Sequence, residues 1–336
     1  MLELRTKTER WLFKEPFRIS GYVFVDAEVI TVTLTRKGRS GIGEAAGVYY
    51  RQEDPQSMRA QIEDVRGAIE AGPSREALRE ILPPGGARNA IDCALWDLEA
   101  KERGVPAWHI AGLSAPRPLP TTMTIGADTP EETARRAAGF KDAPRLKLKL
   151  TGEDDAPRLR AARQARPDAW IGVDANQGFT RATLEKIYPV FVETGVALIE
   201  QPVKIGAEAE LDGFKSAIPI AADESMQGLD DIGALKGRFQ VGNIKLDKCG
   251  GLTEALMMAK ELRRLGLVPM VGCMGGTSLS IAPGLIAGQL CDLVDLDGPI
   301  FLAGDREHRA TYEGGMVAYG DSGWGNPIAA ARAKAS

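Results

Sequence analysis

The sequence predicts an α/β protein in which a parallel strand–helix barrel is joined to a smaller α+β domain. Three observations predict it. From Leu119 onward, eight short apolar segments alternate with helical ones, the beat of a parallel barrel. Residues 1 to 35 instead alternate apolar and polar, as in "VFVDAEVITVTLT", which is the pattern of antiparallel sheet. The length of 336 residues exceeds the roughly 250 of a barrel alone and leaves room for one partner domain.

Taken in order, "RKGRSGIGEA" supplies a glycine-bearing turn between two strands of the opening sheet. "DPQSMRAQIEDVRGAIEAG" then begins with an N-cap, Asp54, followed by Pro55, and ends at Gly72. "ARNAIDCALWDLEAKERG" carries an apolar stripe that stops at Gly104. These elements form an α+β domain over residues 1–115. The barrel follows over residues 116–308, with strands "PTTMTIGA", "RLKLKL", "WIGVDAN", "ALIEQP", "IPIAADES", "GNIKLDK", "LVPMVGCM" and "CDLVDLDGP". The last segment, 309–336, is rich in glycine and aromatic residues, lacks the beat, and is expected to return to the first domain.

With 44% hydrophobic and 26% charged residues the chain can form a large core. A net charge of -4 and the lack of any dense Lys/Arg cluster argue against nucleic acid as a partner. The start, "MLELRTKTERWLF", has no signal-peptide-like apolar run, and no stretch approaches the about 20 apolar residues of a membrane span, so a cytoplasmic location is expected. Cys93, Cys249, Cys273 and Cys291 lie far apart without zinc-ligand spacing and read as buried free thiols. His109 and His308 are the only histidines, too few for a multi-histidine metal site, so base catalysis falls to lysine or carboxylate.

"RLKLKL" poses the central question. In a half-solvated strand Lys147 and Lys149 are ordinary solubilising residues; in a central strand they are trapped inside. The other strand ends decide between the two, since a barrel of this kind builds its active site there. They carry Asp174 and Asn176, Glu200, Asp223 and Glu224, Lys245 and Lys248, then Asp295 and Asp297. One acidic strand end reads equally well as a helix N-cap; three in consecutive strands do not. Asp174 and Glu200 are 26 residues apart, and Glu200 and Asp223 are 23 apart, each about one strand–helix unit. Their side chains should converge, and a hard divalent cation relieves the repulsion.

Lys245 follows 22 residues later, on the opposite side of the barrel from Lys149. Two lysines flanking a metal suit proton removal next to a carboxylate, with a base on one face, an acid on the other, and the cation stabilising an enediolate. An ordinary lysine titrates at about 10.4; burial and the nearby charge of Lys147 are expected to bring Lys149 towards roughly 7 to 8.

Together and in this order, "KLK" at 147–149, "VDAN", "IEQP", "ADES" and "NIKLDKCGG" resemble the enolase superfamily, in its muconate-lactonising subgroup, over essentially the whole chain. The resemblance implies a modified (β/α)₇β TIM barrel beneath an α+β capping domain, one Mg²⁺ per subunit on Asp174, Glu200 and Asp223, and Lys149 and Lys245 as the catalytic pair. Lys147 is then left to tune Lys149 or to touch the substrate carboxylate.

"DLDGP" at 295–299 looks like the DxD motif of the family's dipeptide epimerases, whose aspartates hold a free α-ammonium. The alternative is that Asp295 and Asp297 cap the next helix or pair with Arg306. The resemblance therefore implies an isomerase, an L-Ala-L-Xaa dipeptide epimerase with a small-molecule substrate. N-acylamino acid racemisation, o-succinylbenzoate synthesis and muconate cycloisomerisation on the same scaffold, or a non-catalytic metal-binding barrel, stand as alternatives; a homo-oligomer is compatible with the sequence. In the family's Ala-Glu epimerases a mobile cap loop supplies an arginine. Here "PFRISGYVFVDAEV" puts Tyr22 near that place, with Arg18 the only arginine in the loop. Tyr22 and Phe24 suit an apolar second residue, whereas Arg51 suits an acidic one. The substrate-binding set expected is Lys147, Asp295, Asp297, Tyr22 and Cys273.

Overall fold

The computed structural model describes residues 1–152, 155–320 and 323–327. Its first sheet is antiparallel, in the order β1 (Glu3–Ile19), β2 (Tyr22–Arg36), β3 (Arg39–Ala45). Lys37 and Gly38 both have positive φ, the requirement of a tight two-residue hairpin turn. Beneath the sheet runs the long helix Gly86–Arg103, ended by Gly104 in the left-handed region. β3 can lie on this helix only because Gly41 and Gly43 carry no side chain: a Cβ at either would meet helix backbone at 2.1 or 2.2 Å. As the sequence predicts, Asp54 caps the helix Pro55–Asp64 by accepting the Ser57 N–H. Its continuation, Arg66–Glu70, is a separate short helix after a break at Val65.

A short strand, β4 (Leu119–Pro120), leads into an eight-stranded parallel sheet. In chain order its strands are β5 (Met123–Ile125), β6 (Arg145–Lys149), β7 (Trp170–Asp174), β8 (Val196–Glu200), β9 (Ile220–Ala222), β10 (Val241–Lys245), β11 (Val268–Gly272) and β12 (Leu293–Asp295). Each pairs with its sequence neighbours, and the Thr122 N–H donates to the Val294 carbonyl at 3.0 Å, bringing the last strand beside the first. All eight predicted strands are present.

Two of the seven connections differ from expectation: between β8 and β9 and between β9 and β10 the chain makes 3-10 turns, Glu208–Leu211 and Leu229–Leu235. Gly206 and Gly213 flank the first, while Gly228, Gly233 and Gly237 punctuate the second, which is too frequent a break for an α-helix.

The alternation of "RLKLKL" is resolved by this sheet. Leu146, Leu148 and Leu150 face outward and are completely buried against the surrounding helices. Each contributes roughly 2 to 3 kcal/mol of apolar burial. Lys147 and Lys149 therefore face the barrel axis. Below them Leu198, Ala221, Val241 and Met270, with Trp170 and Leu293 packed on, fill the barrel as a separate apolar plug.

After β12, β13 (Ala310–Glu313) and β14 (Met316–Tyr319) form a hairpin that pairs with β4. Further on, the Trp324 indole N–H donates to the Cys93 carbonyl, and the Gly325 N–H donates to Asp97 in the long helix. The expected return of 309–336 lies, for residues 321–322 and 328–336, outside the described residues.

The β1–β2 hairpin reaches beyond its own sheet and over the barrel mouth. A register shift between Leu12 and Phe17 bends it. The bent part is tied at both sides: the Arg18 carbonyl accepts the Ala127 N–H after β5, and the Leu12 carbonyl accepts the Ala303 N–H after β12.

Candidate active site

Parallel register sets the site. Lys149 is paired with Asp174 and Asp174 with Glu200, so three adjacent strands end at one level. On the other half, Lys245 is paired with Gly272 and Gly272 with Asp295. A side chain at Gly272 would collide with the Asn243 amide and with Cε of Lys245, so the glycine leaves room for that lysine to lie across the mouth. Lys149 is on the second strand of eight and Lys245 on the sixth, half a barrel apart. Asp174, Glu200 and Asp223 come from the third and fourth strands and the end of the fifth, with a carboxylate oxygen of each within 4.8 Å of the others.

The electrostatics of this cluster are severe because nothing in it is exposed. Lys149 Nζ donates to Asp174 Oδ2 at 2.5 Å, and Lys245 Nζ donates to Asp223 Oδ2 at 2.6 Å. Lys248, completely buried, donates to the other Asp223 oxygen at 2.6 Å. Burial pushes Asp223 up, but Lys245 and Lys248 outweigh it and hold the carboxyl well below the usual range. Glu200 is pushed up to about 7 by burial and by Asp174. Its Oε1 accepts the Asn243 amide at 2.7 Å, while among the described residues its Oε2 has no hydrogen-bond donor, with Lys147 Nζ 3.5 Å away. A buried carboxylate oxygen without a donor, facing two further carboxylates, is what an oxygen-liganded divalent cation would satisfy; the donor set fits Mg²⁺.

At Lys147 and Lys245 burial and charge pull in opposite directions. Burial does lower Lys147 and Lys245, but the carboxylates overrule it: Asp295 chiefly for Lys147, and Asp223 with Glu200 for Lys245. Both ammonium groups are held well above the ordinary lysine value.

At the last strand, Asp295 accepts from Lys147 and from Thr122, and Lys147 outweighs burial to bring its carboxyl down. Asp297 accepts the Thr124 N–H at 2.6 Å and is pushed up to about 7 by burial and Asp295. Neither pairs with Arg306, which instead binds Glu9 and Glu44. Neither side chain caps the short 3-10 turn Gly298–Phe301.

Above this floor lies a cavity of about 310 Å³, lined by Lys147, Lys149, Lys245, Asp295, Asp297 and Cys273 of the predicted set. Burial pushes the Cys273 thiol up to about 12, so it faces the cavity as a neutral group. Tyr22 does not line it. At the hairpin end, paired with Ile19, Tyr22 is 45% exposed and reaches the cavity only by packing on Phe24 and Tyr49, which do line it. Arg18 is exposed, and Arg51 donates to Gln227 and to the Pro84 carbonyl; neither is in the lining.

Several partners were not singled out from sequence. Asn243 lies two residues before Lys245, and Thr122 and Thr124 alternate in "TTMTI", so the strand period of 2 was the signal available. Gln201 had no such signal: its side-chain carbonyl accepts the N–H groups of Asp223 and Ser225 and fixes the strand end that carries Asp223.

A capped parallel barrel with a metal-competent carboxylate cluster between two opposed lysines belongs to the class of barrel enzymes that move protons next to a carboxylate. Comparison narrows the class. Residues 1–112 match the family model of the mandelate racemase / muconate lactonizing enzyme N-terminal domain, and residues 129–327 match that of the enolase C-terminal domain-like family. The chain is 39% identical over 309 residues to the L-Ala-D/L-Glu epimerase of Escherichia coli K12, covering 91% of this chain and 96% of that one.

A crystal structure of an enolase family member from Agrobacterium tumefaciens, with homology to dipeptide epimerases and bound to sodium and L-Ala-L-Glu, superposes with a TM-score of 0.93 at 40% identity. That match covers 95% of this chain and 98% of the other. A dipeptide epimerase from Methylococcus capsulatus, complexed with Mg and L-Arg-D-Lys, gives 0.87 at 32% identity over 95% and 96% of the two chains. This chain belongs to the enolase superfamily, in its mandelate racemase / muconate lactonizing branch.

Proposed function

We propose that the chain is a Mg²⁺-dependent dipeptide epimerase that inverts the α-carbon of the second residue by proton transfer between Lys149 and Lys245. The observation that carries this reading is the half-barrel separation of the two lysines across the carboxylate cluster, with Asp297 at the far strand. A carboxylate-bearing α-carbon seated between them has a proton acceptor on one face and a donor on the other, which is the geometry of inversion.

Asp174, Glu200 and Asp223 would hold the ion. Such an ion would supply positive charge for the enediolate and would offset the carboxylate charge that holds Lys147 and Lys245 protonated. Lys147, between Asp295 and Glu200, orients the substrate carboxylate, while Asp297 receives the α-ammonium of the first residue. Asp295 is already engaged by Lys147 and Thr122, so Asp297 is the principal ammonium site. Cys273 contributes a neutral wall, and burial keeps its thiol protonated. A free ammonium distinguishes this reaction from N-acylamino acid racemisation. A cytoplasmic location goes with it, supported by four cysteines that are all free.

The test is deuterium incorporation at the α-carbon in D₂O. Lys149→Ala and Lys245→Ala are each expected to abolish epimerisation, and one of them retains exchange of a single epimer. Full activity in either variant overturns the two-base assignment, and undiminished turnover of an N-acetylated dipeptide overturns the ammonium site.

A further inference from the structure

The barrel floor holds the groups common to any dipeptide, its carboxylate, α-carbon and ammonium. Selection of a side chain therefore falls to the wall above the floor, most of which the cap supplies. That wall has two parts. Beside Asp297 stand Gly298, Phe301 and Phe17, the two rings 4.7 Å apart. On the other side Phe24 packs edge-on against Tyr49 at 5.3 Å, with Ile19 in the same lining. The Tyr49 hydroxyl is within electrostatic reach of Glu224, Lys245, Asp223 and Asp174, so this second part overlooks the lysine and carboxylate end of the cavity. A substrate anchored by its ammonium at Asp297 puts its second residue there.

Charge in the lining narrows the choice. Among the described residues no arginine or histidine lines the cavity, and its three lysines face floor carboxylates. An acidic side chain on the cap side would meet rings, the neutral amide of Asn176 and the rim acids Asp26, Glu28, Glu53 and Asp54, losing hydration with no cation of the lining free to replace it. A cationic side chain fares little better, because the rim acids are occupied. Asp26 takes Arg10 at 2.5 Å, Glu53 accepts the N–H groups of Val48 and Gly86, and Asp54 caps its helix. Glu28 is the exception and is exposed.

Resting on the epimerase reading, we propose that the second residue of the substrate carries a bulky apolar or aromatic side chain seated on Phe24, Tyr49 and Ile19, and that acidic second residues are rejected. An apolar group there exchanges water for rings and leaves no polar atom unpaired.

The experiment measures kcat/KM for L-Ala-L-Leu, L-Ala-L-Phe, L-Ala-L-Glu, L-Ala-L-Lys and L-Ala-L-Ala by α-deuteration, in the wild type, Phe24→Arg and Arg18→Ala. Leu or Phe should exceed Glu by about 100-fold, the scale on which an apolar pocket discriminates. Phe24→Arg should cut that ratio by a similar factor, and Arg18→Ala should leave it unchanged. Glu turned over as well as Leu, with the activity on Glu lost in Arg18→Ala, overturns the proposal in favour of a guanidinium delivered from the hairpin. Lys leading the series overturns it in favour of the acidic rim. If no dipeptide exchanges its α-proton, the epimerase reading is what fails. Calorimetric binding of the same panel then decides the pocket: Leu bound more tightly than Glu supports it, and equal binding overturns it.

Discussion

Asp174, Glu200 and Asp223 on the barrel floor are at most 1% exposed and sit among lysine ammonium groups, whereas Tyr22 and Val23 at the tip of the β1–β2 hairpin are 45% and 54% exposed. The floor is anchored by parallel register, in which each side chain's height is set by the strands on either side. The hairpin is held over the mouth by a few backbone bonds and by ring contacts among Tyr22, Phe24 and Tyr49. A group that moves a proton must be placed to a fraction of an ångström, and the barrel supplies that rigidity. A wall that only has to fit a side chain tolerates looser construction. The comparison implies that floor substitutions change turnover of every substrate, while cap substitutions change which substrate is preferred.

The largest effect expected, after loss of either lysine, is from Glu200→Gln. It removes one charge from the cluster while keeping the shape and an oxygen for Asn243. Turnover of all dipeptides should fall at least about 10³-fold together with Mg²⁺ affinity, read by calorimetry. A change confined to one dipeptide would break the division between floor and wall.

Next is the joint between the two regions. Arg306 reaches from the barrel side to Glu9 on β1 and to Glu44 on β3, and the Glu44 side chain is fully buried. Burial raises Glu44 even against Arg306 and Thr277, so removing the guanidinium leaves a buried carboxylate with Thr277 as its one remaining donor among the described residues. Arg306→Ala should cost about 3 kcal/mol in denaturant unfolding. An unchanged midpoint would mean that the cap is held by its apolar contacts alone.

The smallest effect is acid sensitivity of the same joint. Burial pushes Glu9 up, but Arg306, Thr31 and Lys7 outweigh it and bring it from 4.5 down to about 2. A carboxyl lowered in the folded state contributes stability that is complete above about pH 4.5 and is lost as the pH falls towards 2. Glu44, raised by burial, works in the opposite sense, so the comparison must be made against a variant. Glu9→Gln should lose less Tm than the wild type between pH 5 and about 2.5. Equal losses would remove Glu9 from the account.

How much of this was legible follows the length scale of each interaction. Asp54 before Pro55, Gly104 after a stripe, and leucines alternating with lysines are signals within one or two turns or strands, and the structure reproduces them. The metal-competent carboxylates were legible because a repeating strand–helix unit turns sequence interval into position around a ring. Phe24 rather than Tyr22 in the cavity was not, since a bend between Leu12 and Phe17 decides how far the hairpin overhangs. The Glu44–Arg306 pair spans 262 residues, and neither residue's neighbours in sequence point to the other.

By itself, then, the sequence determined the barrel, the order of charges round its mouth and the outward leucines that turn Lys147 and Lys149 inward, because period-2 strands and a regular unit make facing and angular position local properties. Only the tertiary structure decided which anion each lysine meets, that those anions hold Lys147 and Lys245 charged, and which cap side chains wall the cavity. Those outcomes depend on distances of a few ångströms between segments remote in sequence, and both Coulomb energy and desolvation change steeply over that range.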